Sequence, residues 1–183
     1  MTEMTSSMPR AFRRFGRNRR GVSAVEFAFI APLMIGLYLG CVEISDGVGA
    51  DRKVSLTAGA LANLPAQVAT ITIAEMTNIL DASSAIIAPY ATGKLKMTVS
   101  CLSIGANKNV KVKWSVTRSG TVEAGTVTIP PALQVPGALI YSEVSYACTP
   151  VVGYTISGTL TLSDHMYMSP RITPPTYNGI ACT

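Results

Sequence analysis

The sequence is poor in the residues that do chemistry. It has one histidine, His165, so neither a histidine-using catalytic triad nor a multi-histidine metal site can be built within one chain. None of its four cysteines stands two residues from another, the spacing that a zinc site uses, and glycines 153 and 158 do not form a phosphate loop. Charge is scarce as well: 14% of residues are charged against 48% hydrophobic, a balance that excludes an intrinsically disordered chain. Internal repeats and low-complexity blocks are lacking too. These shortages argue against an enzyme and against a metal or cofactor protein, and they point to a folded chain that works by contact.

What charge there is has an address. Residues 1–21 hold six arginines and one acid, Glu3, a net +5 that equals the charge of the whole chain and leaves the remainder neutral. A neutral body without a basic stripe is a poor nucleic-acid binder. A basic segment directly before an apolar run is instead the signal that stays on the cytoplasmic side of a membrane. Lys94, Lys96, Lys111 and Lys113 are read as the solvated face of a sheet.

The apolar run follows at once. Val22 to Val42 spans 21 residues, roughly 31 Å of helix at about 1.5 Å per residue, which matches the hydrocarbon core of a bilayer. Glu26 lies five residues inside it. A carboxylate there either snorkels to the headgroups or is kept for a partner, because burial in lipid costs a few kcal/mol near the bilayer centre and about that or less near its edge. Pro32 predicts a mild kink, since its ring removes one backbone hydrogen bond.

The array of basic leader, Gly21, the segment Val22-Ser23-Ala24-Val25, then Glu26-Phe27 and an uninterrupted hydrophobic helix resembles the class III signal of type IV pilin-like proteins. The resemblance narrows over "GVSAVEFAFIAPLMIGLYLGCVEISDGVGADRKVSLTAGALAN": the Ala-Val-Glu-Phe-Ala core, Pro32 in the helix and Glu43 just past the span resemble the TadE-like minor pilins, or pseudopilins, of tight-adherence (Tad/Flp) pilus systems. The likeness covers residues 21–63, with shorter echoes at "VKWS" and "YMSPR". It implies that a prepilin peptidase cuts between Gly21 and Val22 and leaves the helix in the bacterial inner membrane. It implies also that the new ammonium of Val22 pairs with Glu26 of a neighbouring chain, setting register. The implied partners are that peptidase, other Tad pilus subunits, the inner-membrane assembly platform and membrane lipid. A body this large sets the chain apart from the short major pilins and indicates a minor or assembly component acting in pilus initiation or assembly.

The expected organisation is a leader at 1–21, a transmembrane helix at 22–42, a helical extension at 43–64 ended by Pro65, and a periplasmic α+β domain at 65–183. Within that domain Thr72 and Glu75 have the spacing of a capping box, and Ile73, Met76, Ile79, Leu80, Ile86 and Ile87 recur near helical spacing, which predicts a helix over about 72–88. From Gly93 the period changes to two. Leu95, Met97, Val99 and Cys101 form one strand face, and Val110, Val112, Trp114 and Val116 a second. Ile140, Val144, Tyr146 and Cys148 form a third, and Tyr154, Ile156, Leu160 and Leu162 a fourth, with a short edge strand at 126–129. The pattern predicts a four-stranded antiparallel sheet over about 94–163, polar on one side and covered by helix on the other, as in pilin-like subunits.

Cys101, Cys148 and Cys182 follow the span, in a compartment that permits disulfides. If the four strands form a meander, the first and third lie about 10 Å apart, beyond disulfide reach, so Cys101–Cys148 is disfavoured. The irregular tail after Pro174 and Pro175 then brings Cys182 to Cys101, or alternatively to Cys148. Free thiols throughout, or a different strand order placing 101 beside 148, are the open alternatives. A rival function also stays open: an extracytoplasmic binding module on an uncleaved anchor, or on one lipidated at Cys41, although Tyr38 fits a lipoprotein site poorly.

Overall fold

The computed structural model describes residues 19–119, 127, 129–149 and 158–183. Its main axis is one helix, α1 (Arg19–Ala66), continuous over 48 residues and about 72 Å long at 1.5 Å per residue. Residues 21–42 stand clear of the rest of the chain: Phe27, Phe29, Leu33 and Tyr38 are each at least 65% exposed. Burial begins at Glu43. From there Ala50, Val54, Thr57, Ala58, Leu61, Ala62 and Ala66 face inward at three- and four-residue spacing, the stripe of an amphipathic helix. The alanines are small enough to let α1 sit close on a sheet, and buried Ser142 reaches across to donate to the carbonyl of Ala58 at 2.7 Å. Pro32 lies inside the unbroken helix, and Pro65 does not end it, for the helix runs to Ala66. Proline's fixed φ suits a helix, and so near the end its missing N–H frees only the Leu61 carbonyl.

After β1 (Thr70–Ile71) comes α2 (Ile73–Ala85). Thr72 caps it: the Thr72 N–H donates to Glu75 Oε2 at 2.8 Å, and the Glu75 N–H donates to Thr72 Oγ1 at 3.2 Å. Met76, Leu80 and Ile87 are buried against α1 and the sheet, whereas Ile73 points outward and the chain has left the helix before Ile86. Lys53 of α1 secures the far end by donating its ammonium to the carbonyls of Ile86 and Ala88, which have lost their helical partners.

The sheet contains β2 (Leu95–Ile104), β3 (Val110–Arg118), β4 (Gly137–Cys148) and β5 (Leu160–Met168), all antiparallel, in the order β3-β2-β4-β5. The strands therefore do not form a simple meander, the condition under which an intervening strand would separate Cys101 from Cys148. β2 and β3 form a hairpin, but β4 pairs with β2 on its other side, so β3 and β4 run parallel with β2 between them. Parallel strands need a long return. β3 ends opposite Met97 and β4 begins opposite Ile104, so the connection between them starts at one end of the sheet and finishes at the other.

A bulge gives the second correction. Cys101 pairs with Trp114 but Leu102 pairs with Val112, so Lys113 is the extra residue on β3. Because side chains alternate, one inserted residue moves everything beyond it to the opposite face. Trp114 and Val116 therefore join the main core under α1, whereas Val110 and Val112 pack with Leu102, Ile104, Ile129 and Leu139 on the other side. The outer face is not simply polar: it carries a second apolar cluster at the end where the crossover returns. The fourth strand falls later than predicted, at Leu160–Met168; Tyr154 and Ile156 lie outside the described residues, as do residues 126 and 128 of the expected edge strand, and Val127 and Ile129 are not in a strand.

The tail clamps the end of α1. The Arg171 N–H donates to the Ala66 carbonyl at 2.8 Å and the Arg171 side chain to Asn63, while β6 (Thr176–Tyr177) pairs parallel with β1. Cys182, fully buried, is disulfide-bonded to Cys101, with Cα atoms 5.9 Å apart. Cys101 and Cys148 are kept apart by register and not by an intervening strand. Cys101 faces Ile140 on β4, and Cys148 is eight positions further along, about 27 Å at 3.4 Å per residue.

Candidate assembly surface

Two surfaces of α1 meet different surroundings. On residues 21–42 the exposed side chains are almost all apolar, and Glu26 is the single acid among them. It stands one helical turn after Val22, so the two residues share a face, with Phe27 beside them. Gly21 is in open surroundings, since a Cβ built on it meets no atom within 4 Å. An exposed helix of this hydropathy, only 6% buried within the chain in its most apolar stretch, is a membrane-anchor candidate.

Past Glu43 the outward face of α1 stays partly apolar. Ile44, Val48, Leu56 and Leu64 are exposed at four- and eight-residue spacing and continue into Val68. Arg52, Asp46 and Asp51 are interspersed, and the Asp46 carbonyl accepts from the Tyr90 hydroxyl at 3.0 Å, which fixes the foot of the head against α1. A Cβ on Gly49 would stand 3.0 Å from that hydroxyl, so a larger residue there would push the Tyr90 side chain aside by a few tenths of an ångström. Glu43, 5% exposed and the first buried residue of α1, is the acid whose setting was not legible from spacing alone, since it reads as the polar end of a span.

Among the described residues no group of three metal-ligating side chains occurs. His165 lies on the outer sheet face, directly opposite Glu143 and against the rings of Tyr141 and Tyr167, at centroid distances of 6.2 and 5.5 Å. The Tyr141 hydroxyl donates to Glu143 Oε2 at 3.1 Å, and its phenol is pushed well above the ordinary tyrosine value by burial and then by the Glu143 charge. Burial raises Tyr167 as well, with Glu143 adding to it. The Glu75 carboxyl is held low by the Thr72 N–H and then by the Thr72 hydroxyl. These are structural contacts of a sheet face and a helix cap.

The segment with the exposed apolar face, the lone Glu26 and the glycine before it is also the segment that other proteins share. Residues 21–60 match the family model for TadE-like protein. That stretch starts at Gly21 and ends within the part of α1 laid on the sheet, about a fifth of the chain. It associates the chain with Tad pilus systems and implies other pilus subunits as partners. Comparison of the chain with curated proteins and with solved structures gave no significant match.

The structure brings Val22, Glu26 and Phe27 together on one exposed stretch of helix and joins Cys101 to Cys182. Cys148 is left as a half-buried thiol and Cys41 as an exposed one.

Proposed function

We propose that this chain is a minor pilin, or pseudopilin, of a Tad-type type IV pilus: a structural subunit and not an enzyme. A prepilin peptidase cuts after Gly21 on the cytoplasmic side, the helix stays in the bacterial inner membrane with the head in the periplasm, and the processed subunit acts in pilus initiation or assembly through the assembly platform. The observation that carries this reading is the division of α1 into a free apolar half bearing Glu26 and a half built into the head. An anchor made only to tether a binding module needs no acid in its span, and none needs to be one rigid helix with its cargo.

The assigned role of Glu26 follows from electrostatics in lipid. A carboxylate in the bilayer is unfavourable alone, and an opposite charge offsets this only where the two meet, so the pair specifies alignment more than strength. The ammonium created at Val22 by the cut supplies that charge from a neighbouring copy or subunit, while the helix faces pack by close apolar contact.

Intact mass tests the reading. The chain expressed with the cognate prepilin peptidase loses residues 1–21, and without the peptidase it keeps them. Gly21→Leu, which enlarges the residue before the cut, keeps the leader even when the peptidase is present. A Gly21→Leu chain shortened by the leader's mass refutes the cleavage assignment, and an acylated chain beginning at Cys41 refutes the pilin reading in favour of a lipidated module.

A further inference from the structure

Placed in a bilayer by its apolar run, the chain brings one pole of the head to the level of the headgroups. The run ends at Val42, and Asp46 follows four residues later, about 6 Å along α1 at 1.5 Å per residue. With a hydrocarbon core of about 30 Å in a bilayer of roughly 40–45 Å, that height falls in the headgroup layer. The Tyr90 hydroxyl donates to the Asp46 carbonyl at 3.0 Å, so Tyr90 stands there too. The sheet reaches the same height. Ser142 of β4 is bonded to Ala58, and four residues on the ring of Tyr146 lies 6.1 Å from that of Tyr90, so β4 descends toward the span as α1 rises from it. Leu95 at the start of β2 is opposite Tyr146, and Leu160 at the start of β5 is opposite Cys148. Residues 90–96, 146–149 and 160 therefore share the membrane-side pole.

This pole has the chemistry of a lipid contact. Lys94 and Lys96 are exposed, and the Lys94 ammonium donates one N–H to the Thr149 hydroxyl at 2.7 Å, which holds it on the pole with two more donors for an acceptor. Lysine stems lie along apolar surface while the charge reaches phosphate, and a tyrosine ring with a polar tip suits the same layer. Acids are fewer. Glu43 is buried beneath the head and Asp81 is paired with Arg118. Glu143 and Asp164 lie five and four positions up their strands from Cys148 and Leu160, about 14 Å or more at 3.4 Å per residue. Asp46 is the exposed acid at this height among the described residues. On the outward face of α1, Ile44 and Val48 are 59% and 63% exposed. They lie about 3 and 9 Å past Val42 and carry the apolar surface of the span into the headgroup layer.

We infer that this pole is a second lipid-binding surface: Lys94 and Lys96 take up headgroup phosphates of the leaflet from which the head emerges, and Tyr90 settles beside them. The span holds the pole against that layer at all times, so even weak phosphate contacts are filled. Together they fix the tilt and rotation of α1 and the head as one body, which a single apolar span leaves free. The inference rests on the reading of α1 as a membrane span and is independent of leader cleavage.

Fluorescence quenching of the full chain in liposomes of phosphatidylcholine and phosphatidylglycerol tests it, with a nitroxide on the lipid headgroup as the quencher. In a background of Cys41→Ser and Cys148→Ser, a fluorophore on Thr92→Cys is expected to be quenched, and one on Val135→Cys at the opposite pole is not. Both substitutions replace exposed residues, and the eleven positions from Gly137 to Cys148 keep the poles about 37 Å apart at 3.4 Å per residue. Adding Lys94→Glu and Lys96→Glu is expected to lower the quenching at 92 about fivefold or more, the factor that a single lysine contributes near an anionic surface. Equal quenching at 92 and 135 overturns the inference. So does quenching at 92 that ignores the two glutamates, and if those glutamates instead abolish subunit crosslinks in cells, the pole belongs to a protein partner. A fluorophore on native Cys41, with Cys148→Ser alone, reads the span separately: quenching at 41 without quenching at 92 refutes the pole contact alone, and no quenching at 41 refutes the membrane span itself.

Discussion

Replacing Cys182 by alanine isolates the contribution of the link that ties the tail to β2. The bridged residues are 81 apart in sequence, and closing a loop of that length removes about 15 cal/mol/K of entropy from the unfolded chain, or about 4.5 kcal/mol at 25 °C in the chain-entropy account. Little of the loss comes from packing. Both cysteines are fully buried, and a lone thiol at Cys101 behaves as a small apolar side chain. The tail keeps other holds: the Trp114 indole N–H donates to the Pro175 carbonyl at 3.3 Å, and the Thr176 and Asn178 N–H groups donate to Ala69 and Ile71. Cys182→Ala and the Cys101→Ala, Cys182→Ala pair should therefore lose similar stability, on the order of 4 kcal/mol, and a head of this size should melt roughly 15 °C lower. Thermal unfolding of the detergent-solubilised chain, followed by near-ultraviolet circular dichroism, measures the shift, and peptide mapping without reductant reads the bond. A loss below about 1 kcal/mol in both variants, or a peptide joining Cys101 to Cys148, refutes the reasoning.

Three further outcomes are expected. Glu26→Leu leaves membrane insertion intact, since the span becomes more apolar, and lowers pilus formation or subunit crosslinking; normal assembly with leucine returns Glu26 to the snorkelling role. Lys53→Met strips the ammonium from the Ile86 and Ala88 carbonyls and lowers stability by about 1–3 kcal/mol in denaturant unfolding, whereas an unchanged midpoint shows that water satisfies both carbonyls equally well. Tyr141 keeps its proton in the folded head above the ordinary tyrosine value near 10, so the unfolded chain binds fewer protons there and stability falls as pH rises past about 10. Tyr141→Phe should flatten that alkaline decline, and an identical decline in both proteins assigns it to other groups.

Local chemistry made several features legible in the residue order. A run of apolar residues long enough for a bilayer, with Gly21 before it and Glu26 within it, can be recognised without a fold, because lipid tests hydropathy and length residue by residue. The Thr72–Glu75 cap is equally local: both bonds close within one turn, so three-residue spacing suffices to place the start of α2. Alternation placed Leu95, Met97, Val99 and Cys101 on one buried face, since a strand's period does not depend on its neighbours.

Pairing was decided elsewhere. Whether β4 lies beside β3 or beside β2 depends on where the long Gly/Pro-rich return runs, and nothing in the alternation of Ile140, Val144 and Tyr146 says which edge they join. The bulge at Lys113 shows the same limit within one strand: Val110 to Val116 alternates perfectly in sequence, yet one residue left unpaired against β2 sends its two halves to opposite faces. The burial of Glu43 and the meeting of Cys101 with Cys182 also arise from contacts between residues far apart in the chain. The sequence by itself determined the long apolar run with Glu26 inside it and the periods of the elements, which are set by solvent and backbone geometry over a few residues. The tertiary structure alone decided strand order, register and the closing of the tail, because those follow from which long-range packing buries the most apolar surface at once.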